Sequence, residues 1–232
     1  MKQTNDALST AQTPPSRIRV DLHIHTCYSR DSLTSLQEII ATAPQRGLGA
    51  LAILDHNTVD GGLALREMAP FPVIVGAEVM TTAGEIAGLF LNEAIPKGLS
   101  PQETVARIHD QGGLVYIPHP FDSLRSSRLE EAALMDILEQ VDVLEVLNAR
   151  VVRPADNERA RLFAAAHGLP GAAGSDAHAP VEIGSAYVEM APFDGRDSFL
   201  QSLAQGTVRG SESPAHVHLF STWAKIRKLL SL

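Results

Sequence analysis

Short apolar runs alternating with longer amphipathic stretches predict a single α/β domain on a largely parallel sheet, either open or closed into a barrel. Three observations carry this. Seven runs, at 18–22, 50–54, 73–77, 86–91, 114–117, 141–147 and 170–174, are too short for helices. They are rich in Val, Ile, Leu and Ala, as strands covered on both faces are. Amphipathic stretches at 33–46, 101–111, 129–139 and 155–167 lie between them. Finally, 44% hydrophobic and 20% charged residues in a chain of 232 give enough apolar material for one full-sized core.

Taken in order, the run at 18–22 opens the domain after a polar lead-in, residues 1–17, whose Pro14-Pro15 pair predicts disorder. The stretch 33–46 reads as the first helix and ends at Gly47. The break in rhythm falls at 73–91, where MTTAGE alone separates two runs, a strand leading through a tight turn into another strand. In 101–111, Ser100 is placed as N-cap, Pro101 in the first turn and Glu103 among the first-turn acids. Gly112-Gly113 and Gly168 stand where helices end on a left-handed residue. The domain is expected to span 18–212. Residues 213–232 follow as an amphipathic tail, with Lys225, Arg227 and Lys228 set against Leu219, Phe220, Trp223, Ile226, Leu229 and Leu230. Docking on the protein's own body is the expected use of that tail.

Composition excludes several classes. Nineteen Lys and Arg against 27 Asp and Glu leave a net charge of −8, which argues against a general binder of long nucleic acid. The single cysteine, Cys27, excludes an internal disulfide framework, fits a reducing compartment and reads as a small buried residue. No run approaches the roughly 18–20 apolar residues of a membrane span, and the N-terminal segment has no apolar h-region. The cytoplasm is the expected location.

The histidines are unevenly placed. Five of the nine follow directly on apolar runs: His23 and His25 in VDLHIHT, His56 in LAILDHNT, His119 in VYIPHP and His178 in GSDAH. Asp21, Asp55, Glu78 and Asp176 occupy the same kind of position. Strand C-termini converge on one face in parallel α/β folds, and residues two apart on a strand point to the same side. Imidazoles and carboxylates gathered there suit a divalent metal, Mn, Zn or Fe. His109 and His167, within helical patterns, and His216 and His218, in the tail, are expected to lie outside any such cluster.

These segments resemble a known family. VDLHIHTCYSRDS, LAILDHNTVDG, GAE, IPHPFD and GSDAH are similar, in order over residues 18–190, to the successive motifs of the PHP family, named after polymerase and histidinol phosphatase. The resemblance implies a distorted seven-stranded β/α barrel with a metal cluster at its C-terminal mouth. It implies two or three divalent ions, Mg being possible besides Mn, Zn and Fe. His23, His25, Glu78 and Asp176 would hold the first; Glu78 and His119 the second; Asp31, His56 and His178 the third. Arg30 intervenes between Ser29 and the aspartate taken as the family's, Asp31. Glu85, in EIAGL, stands where many relatives carry a histidine, and is read as a substitute ligand for the second ion.

Three divalent ions would outweigh the carboxylates of Asp31, Glu78, Glu85 and Asp176, so the site should attract an anion, phosphate above all. The expected chemistry is hydrolysis of a phosphoester in a small phosphorylated metabolite or nucleotide by a metal-bridging hydroxide, without a covalent intermediate. Asp55 is expected to orient an imidazole. Arg125, Asn148, Arg150 and Arg153, in loops after later strands, are expected to grip phosphate, Arg125 foremost. A nuclease for short oligonucleotides and a non-catalytic metal-stabilised scaffold are the alternatives. The sequence leaves the oligomeric state open.

Overall fold

The structure, a computed structural model, describes residues 17–213 and 217–230. The expectations for the lead-in 1–16, for His216 and for the His218 side chain lie outside the described residues. The strands β1 (Ile18–Ile24), β2 (Leu48–Ile53), β3 (Val73–Thr81), β4 (Gly84–Leu89), β5 (Leu114–Ile117), β6 (Val143–Asn148) and β7 (Gly171–Gly174) fall on the seven apolar runs. Two more, β8 (Ala186–Met190) and β9 (Thr207–Gly210), complete one sheet in the order β7-β6-β5-β4-β3-β2-β1-β8-β9.

The sheet curls into a nearly closed barrel. Beyond β7 the chain returns to β1, where Ile24 bridges Ala177 in parallel and the His25 N–H donates to the Ala177 carbonyl at 2.9 Å. Strands β1–β7 thus ring the barrel, and β8–β9 extend it as an antiparallel ribbon on β1. Among the described residues the sheet has nine strands where the resemblance implies seven. The added two lack continuous apolar runs: β8 alternates buried and half-exposed residues, and β9 is largely exposed.

β4 runs antiparallel to both β3 and β5, whereas the other neighbouring pairs between β1 and β7 are parallel. Its first residues therefore lie at the end of the barrel where β3 and β5 finish. This reversal brings Glu85, paired with Met80 across the hairpin, to the same mouth as the strand C-termini.

Helices α1 (Leu36–Gln45), α2 (Asp60–Met68), α3 (Pro101–Asp110), α4 (Glu131–Ile137) and α5 (Pro154–His167) flank the barrel, and α6 (Arg196–Ala204) and α7 (His218–Leu230) follow. Ser100 and Glu103 close a reciprocal capping box on α3, and Ser35 and Glu38 do the same on α1. α2 has no counterpart among the predicted helices. Its N-cap position, Val59, offers no side-chain acceptor, and Gly61-Gly62 in the first turn lower helix propensity.

One apolar cluster draws on every strand from β1 to β8, with Leu22, Ala52, Leu89, Tyr116 and Ala172 among its members, and fills the barrel. Two others lie between the sheet and the helices. Val20 and Leu22 face inward, but Ile24 packs with Leu36 and Ile39 of α1. The register slips between Asp21 and Ile24, and this irregularity sets the parity at the end of β1.

α7 docks on the body, as expected for the tail, and does so largely through polar groups. Val217 and Ala224 are buried, while Leu219, Trp223, Ile226, Leu229 and Leu230 are exposed. The inward contacts are polar: the Lys228 ammonium donates to the carbonyls of Cys27 and Ser29, and the Arg150 guanidinium donates to Ser221 Oγ at 2.9 Å. Cys27 itself is exposed, a correction to the buried position expected for a small apolar residue. It sits in the loop after β1, outside the packed strand. Among the described residues no helix is long and apolar enough to cross a membrane.

Candidate metal centre

At the end of β1, His23 and His25 are fully buried and turn their Nε2 atoms to within 3.1 Å of each other. Each ring is aimed by a partner on its other nitrogen. His23 Nδ1 lies 3.0 Å from Glu145 Oε1, His25 Nδ1 3.2 Å from Ser29 Oγ, and His178 Nδ1 2.7 Å from the Asp176 carbonyl. A hydrogen on Nδ1 committed to such an acceptor leaves the Nε2 lone pair facing inward, the tautomer a metal needs.

Glu78, Glu85 and Asp176 come from other strands, and Asp31 from the loop after β1. Asp176 Oδ1 lies 3.2 Å from His25 Nε2 and 3.6 Å from His23 Nε2. Glu78, at the centre, places Oε1 2.8 Å from His119 Nε2 and Oε2 3.3 Å from His56 Nδ1. Asp31 spans His56 Nε2, at 3.2 Å, and His178 Nε2, at 3.5 Å. Glu85 Oε1 is 3.7 Å from His56 Nδ1, and its Oε2 is 3.9 Å from His119 Nε2. Among the described residues the candidate ligand atoms fall into four overlapping groups: His23, His25 and Asp176; His23, Glu78 and His119; His25, Asp31, His56 and His178; and His56, Glu78 and Glu85. Glu85 is therefore grouped with His56 as well as approached by His119.

Whether cations fit here can be judged from unpaired atoms. Asp31 Oδ1, Glu78 Oε2 and Asp176 Oδ1 are buried without a hydrogen-bond partner. Each faces an imidazole nitrogen: Asp31 Oδ1 lies 3.5 Å from His178 Nε2, Glu78 Oε2 3.3 Å from His56 Nδ1 and Asp176 Oδ1 3.2 Å from His25 Nε2. Burying them so is costly unless cations complete the arrangement. The donor set, imidazole nitrogen and carboxylate oxygen, suits Mn, Zn or Fe.

The protein's own charges set the state of the candidate ligands. Burial pushes the carboxyl of Asp31 up, but the imidazoles of His178 and His56 outweigh it and hold the group ionised. Glu78 and Asp176 are likewise held well below the usual carboxylate range against their burial, Glu78 by His119 and His23 and Asp176 by Arg125 and His23. Burial, with the charge of Glu78 next to it, pushes Glu85 up. Burial and the neighbouring His25 bring His178 down to about 3, a neutral imidazole at ordinary pH. Two of the candidate ligands have left-handed backbone, His119 at φ 30° and Asp176 at φ 52°, and such conformations persist where surroundings enforce them. For His119 the enforcing contact is its N–H, which donates to Glu145 Oε2 at 2.6 Å.

Glu145 is the residue that sequence reasoning passes over. Fully buried in β6, it also accepts from the Tyr116 hydroxyl at 2.8 Å and from Asn148 Nδ2 at 3.0 Å. A lone charge within the apolar run VLEVLN is its signal. Asp21 plays a comparable role deeper in β1: it accepts from Ser175 N–H and Oγ and from Gly184 N–H, tying the strand to the loop after β7, and burial raises it to about 6.

The other expected residues are placed unevenly. Asp55 orients no imidazole; its two oxygens accept from the N–H and Oγ of Thr26, each at 2.7 Å, and so fix the loop after β1. Arg125 lines a cleft of about 440 Å³ above the cluster and donates to Asp176 Oδ2 at 2.6 Å. Asn148 is buried and donates to Glu145 and Asp176, so it braces two buried carboxylates and does not line the cleft. Arg150 borders the cleft but is buried against Glu182, the Asp176 carbonyl and α7. Arg153 is exposed, donates to Ser123 Oγ and does not reach the cleft. His109 pairs with Asp142, and His167 packs on Phe163, both away from the cluster.

A barrel whose mouth gathers imidazoles and carboxylates around shared points defines a metal-binding barrel protein. Sequence comparison gives the family: residues 21–117 match the PHP domain and residues 154–208 the PHP-associated segment. The chain is 41% identical over 145 residues to one uncharacterized protein of Methanocaldococcus jannaschii, covering 57% of this chain and 82% of that one. A second from the same organism is 35% identical over 176 residues, covering 75% and 70%. The chain belongs to the PHP domain family. Among solved structures it is similar in fold to PsfC from Pseudomonas syringae (TM-score 0.66, 17% identity, 94% of this chain and all of that one). A candidate metal-dependent phosphoesterase from Bifidobacterium adolescentis gives a TM-score of 0.58 at 20% identity, over 69% of this chain and 88% of that one. An amidohydrolase from Chromobacterium violaceum gives 0.59 at 18%, over 71% and 89%.

Proposed function

We propose that the protein is a metal-dependent phosphoesterase acting on a small phosphorylated metabolite or nucleotide. The observation that carries this is the set of three unpartnered carboxylate oxygens, on Asp31, Glu78 and Asp176, beneath a cleft that Arg125 borders. His23, His25, Glu78 and Asp176 would hold one divalent ion, Glu78, His119 and Glu85 a second, and Asp31, His56 and His178 a third. When bound, such ions supply an activated water near neutral pH and stabilise the charge on attacking and leaving oxygens.

The chain's own residues do the rest. Glu145, Ser29 and the Asp176 carbonyl fix the rings of His23, His25 and His178, so that little reorganisation accompanies reaction. Arg125 presents a guanidinium at the cleft, a geometry that pairs with phosphate oxygens. The cleft's size suits a small substrate, and the net charge of −8 disfavours long nucleic acid.

The test is hydrolysis of an aryl phosphate monoester and an aryl phosphate diester by manganese-loaded protein, beside chelated and His25→Ala controls. Turnover that needs both metal and His25 is expected. Absence of turnover on both substrates with manganese, zinc or iron present would overturn the proposal.

A further inference from the structure

The tail helix enters the site. Lys225 of α7 places Nζ 3.4 Å from Asp31 Oδ2, and Lys225 and Ser221 border the same cleft as Arg125, His56 and His178. α7 is held there by contacts independent of Lys225: Lys228 on the carbonyls of Cys27 and Ser29, and Arg150 on Ser221 Oγ and the Val217 carbonyl. The helix turns these polar groups inward while Trp223, Ile226, Leu229 and Leu230 face outward, so its placement is not that of an apolar face seeking cover.

We propose that α7 walls the substrate cleft and that Lys225 is a substrate-binding residue whose ammonium contacts an anionic oxygen of the phosphoester. The assignment rests on the phosphoesterase activity proposed above. Arg125 pairs with Asp176 and Lys225 with Asp31, so cations flank two different acids of the cluster and face one cleft. Asp31 already serves His56 and His178, and the Lys225 side chain keeps 51% of its surface exposed. Its ammonium is thus available to a second anion. An ammonium on a flexible stem can follow such an anion, whereas Arg150, buried and bound on several sides, acts as the strut that keeps α7 in place.

The experiment titrates inorganic phosphate into manganese-loaded full-length protein by calorimetry, comparing the parent with Lys225→Met, which keeps the stem, and Lys225→Arg, which keeps the charge. Metal content and the emission of Trp223, the chain's single tryptophan, are read on the same samples. Lys225→Met should weaken phosphate binding about 10-fold, raise KM more than it lowers kcat, and leave metal content and ligand-free emission unchanged. Lys225→Arg should bind close to the parent. Parental phosphate affinity in Lys225→Met would overturn the assignment. So would lost metal or altered ligand-free emission in that variant, since Lys225 would then be a structural prop. If the parent itself neither binds phosphate nor hydrolyses phosphoesters, the phosphoesterase proposal falls and takes this one with it.

Discussion

Glu145 Oε1 lies 3.0 Å from His23 Nδ1, while Oε2 of the same carboxylate receives the His119 N–H at 2.6 Å. One buried acid thus orients an imidazole from β1 and the backbone beside an imidazole that follows β5. Replacing Glu145 by Gln should lower metal affinity by about 10–100-fold, the usual cost of losing a group that orients a ligand. Competition against a chelating dye would measure it; unchanged affinity would deny Glu145 this role.

The β3–β4 hairpin carries Glu85 to the cluster, where it is proposed to hold the second ion. Glu85→Ala should leave purified protein with about one ion fewer per chain by elemental analysis, as removing a ligand from a site of few ligands does. Glu85→His should restore the count. Unchanged stoichiometry in the alanine variant would exclude Glu85 as a ligand.

Removing metal should cost stability because Asp31, Glu78 and Asp176 then bury oxygens with no partner. A ligand present at 100 times its Kd stabilises by about 2.7 kcal/mol, or roughly 5–10 °C in Tm for a chain of this size. Calorimetric scans of chelated and manganese-loaded protein should differ by that amount, and coincident scans would count against a built metal site.

Asp55 and Gly61 form a second, metal-independent test. A Cβ added at Gly61 would lie 2.1 Å from Asp55 Oδ2 and 2.4 Å from Thr26 Oγ1. Gly61→Ala should therefore break the Asp55–Thr26 pair. Asp55→Ala strands the buried Thr26 N–H and should cost about 2–3 kcal/mol. Urea denaturation of chelated protein checks both, and a midpoint equal to the parent's would show that the loop is held otherwise.

Arg125→Ala should raise KM for a phosphoester about 10-fold, the scale of a lost hydrogen bond to a charged group. Metal content should hold, because Asn148 Nδ2 still donates to Asp176 Oδ2. An unchanged KM would remove Arg125 from substrate binding.

Much of this was legible because the barrel buries its strands on both faces, so β1 to β7 announce themselves as continuous apolar runs. β8 and β9 do not, being half-covered or exposed. α2 hides behind Gly61, a residue required by its closeness to Asp55 and poor for a helix. The histidines and acids at strand ends could be read because chain direction alone sends them to one mouth. Partnerships could not: Asp55 turns to Thr26 instead of an imidazole, and Glu145 meets His23 across 122 positions of sequence. Amphipathicity showed that α7 has two faces but not which one docks, since its polar face finds carbonyls and carboxylates on the barrel.

The reversal of β4 has a consequence for how such a centre can diversify. Position 85 is held by a ladder of pairs from Gly76↔Leu89 to Thr81↔Gly84. Its backbone is therefore a rigid socket, and if Glu85 holds the proposed second ion, exchanging its side chain should alter which ion is favoured without moving the neighbouring groups. Hardness of the donor, oxygen for nitrogen, would then be a dial that a single codon can turn.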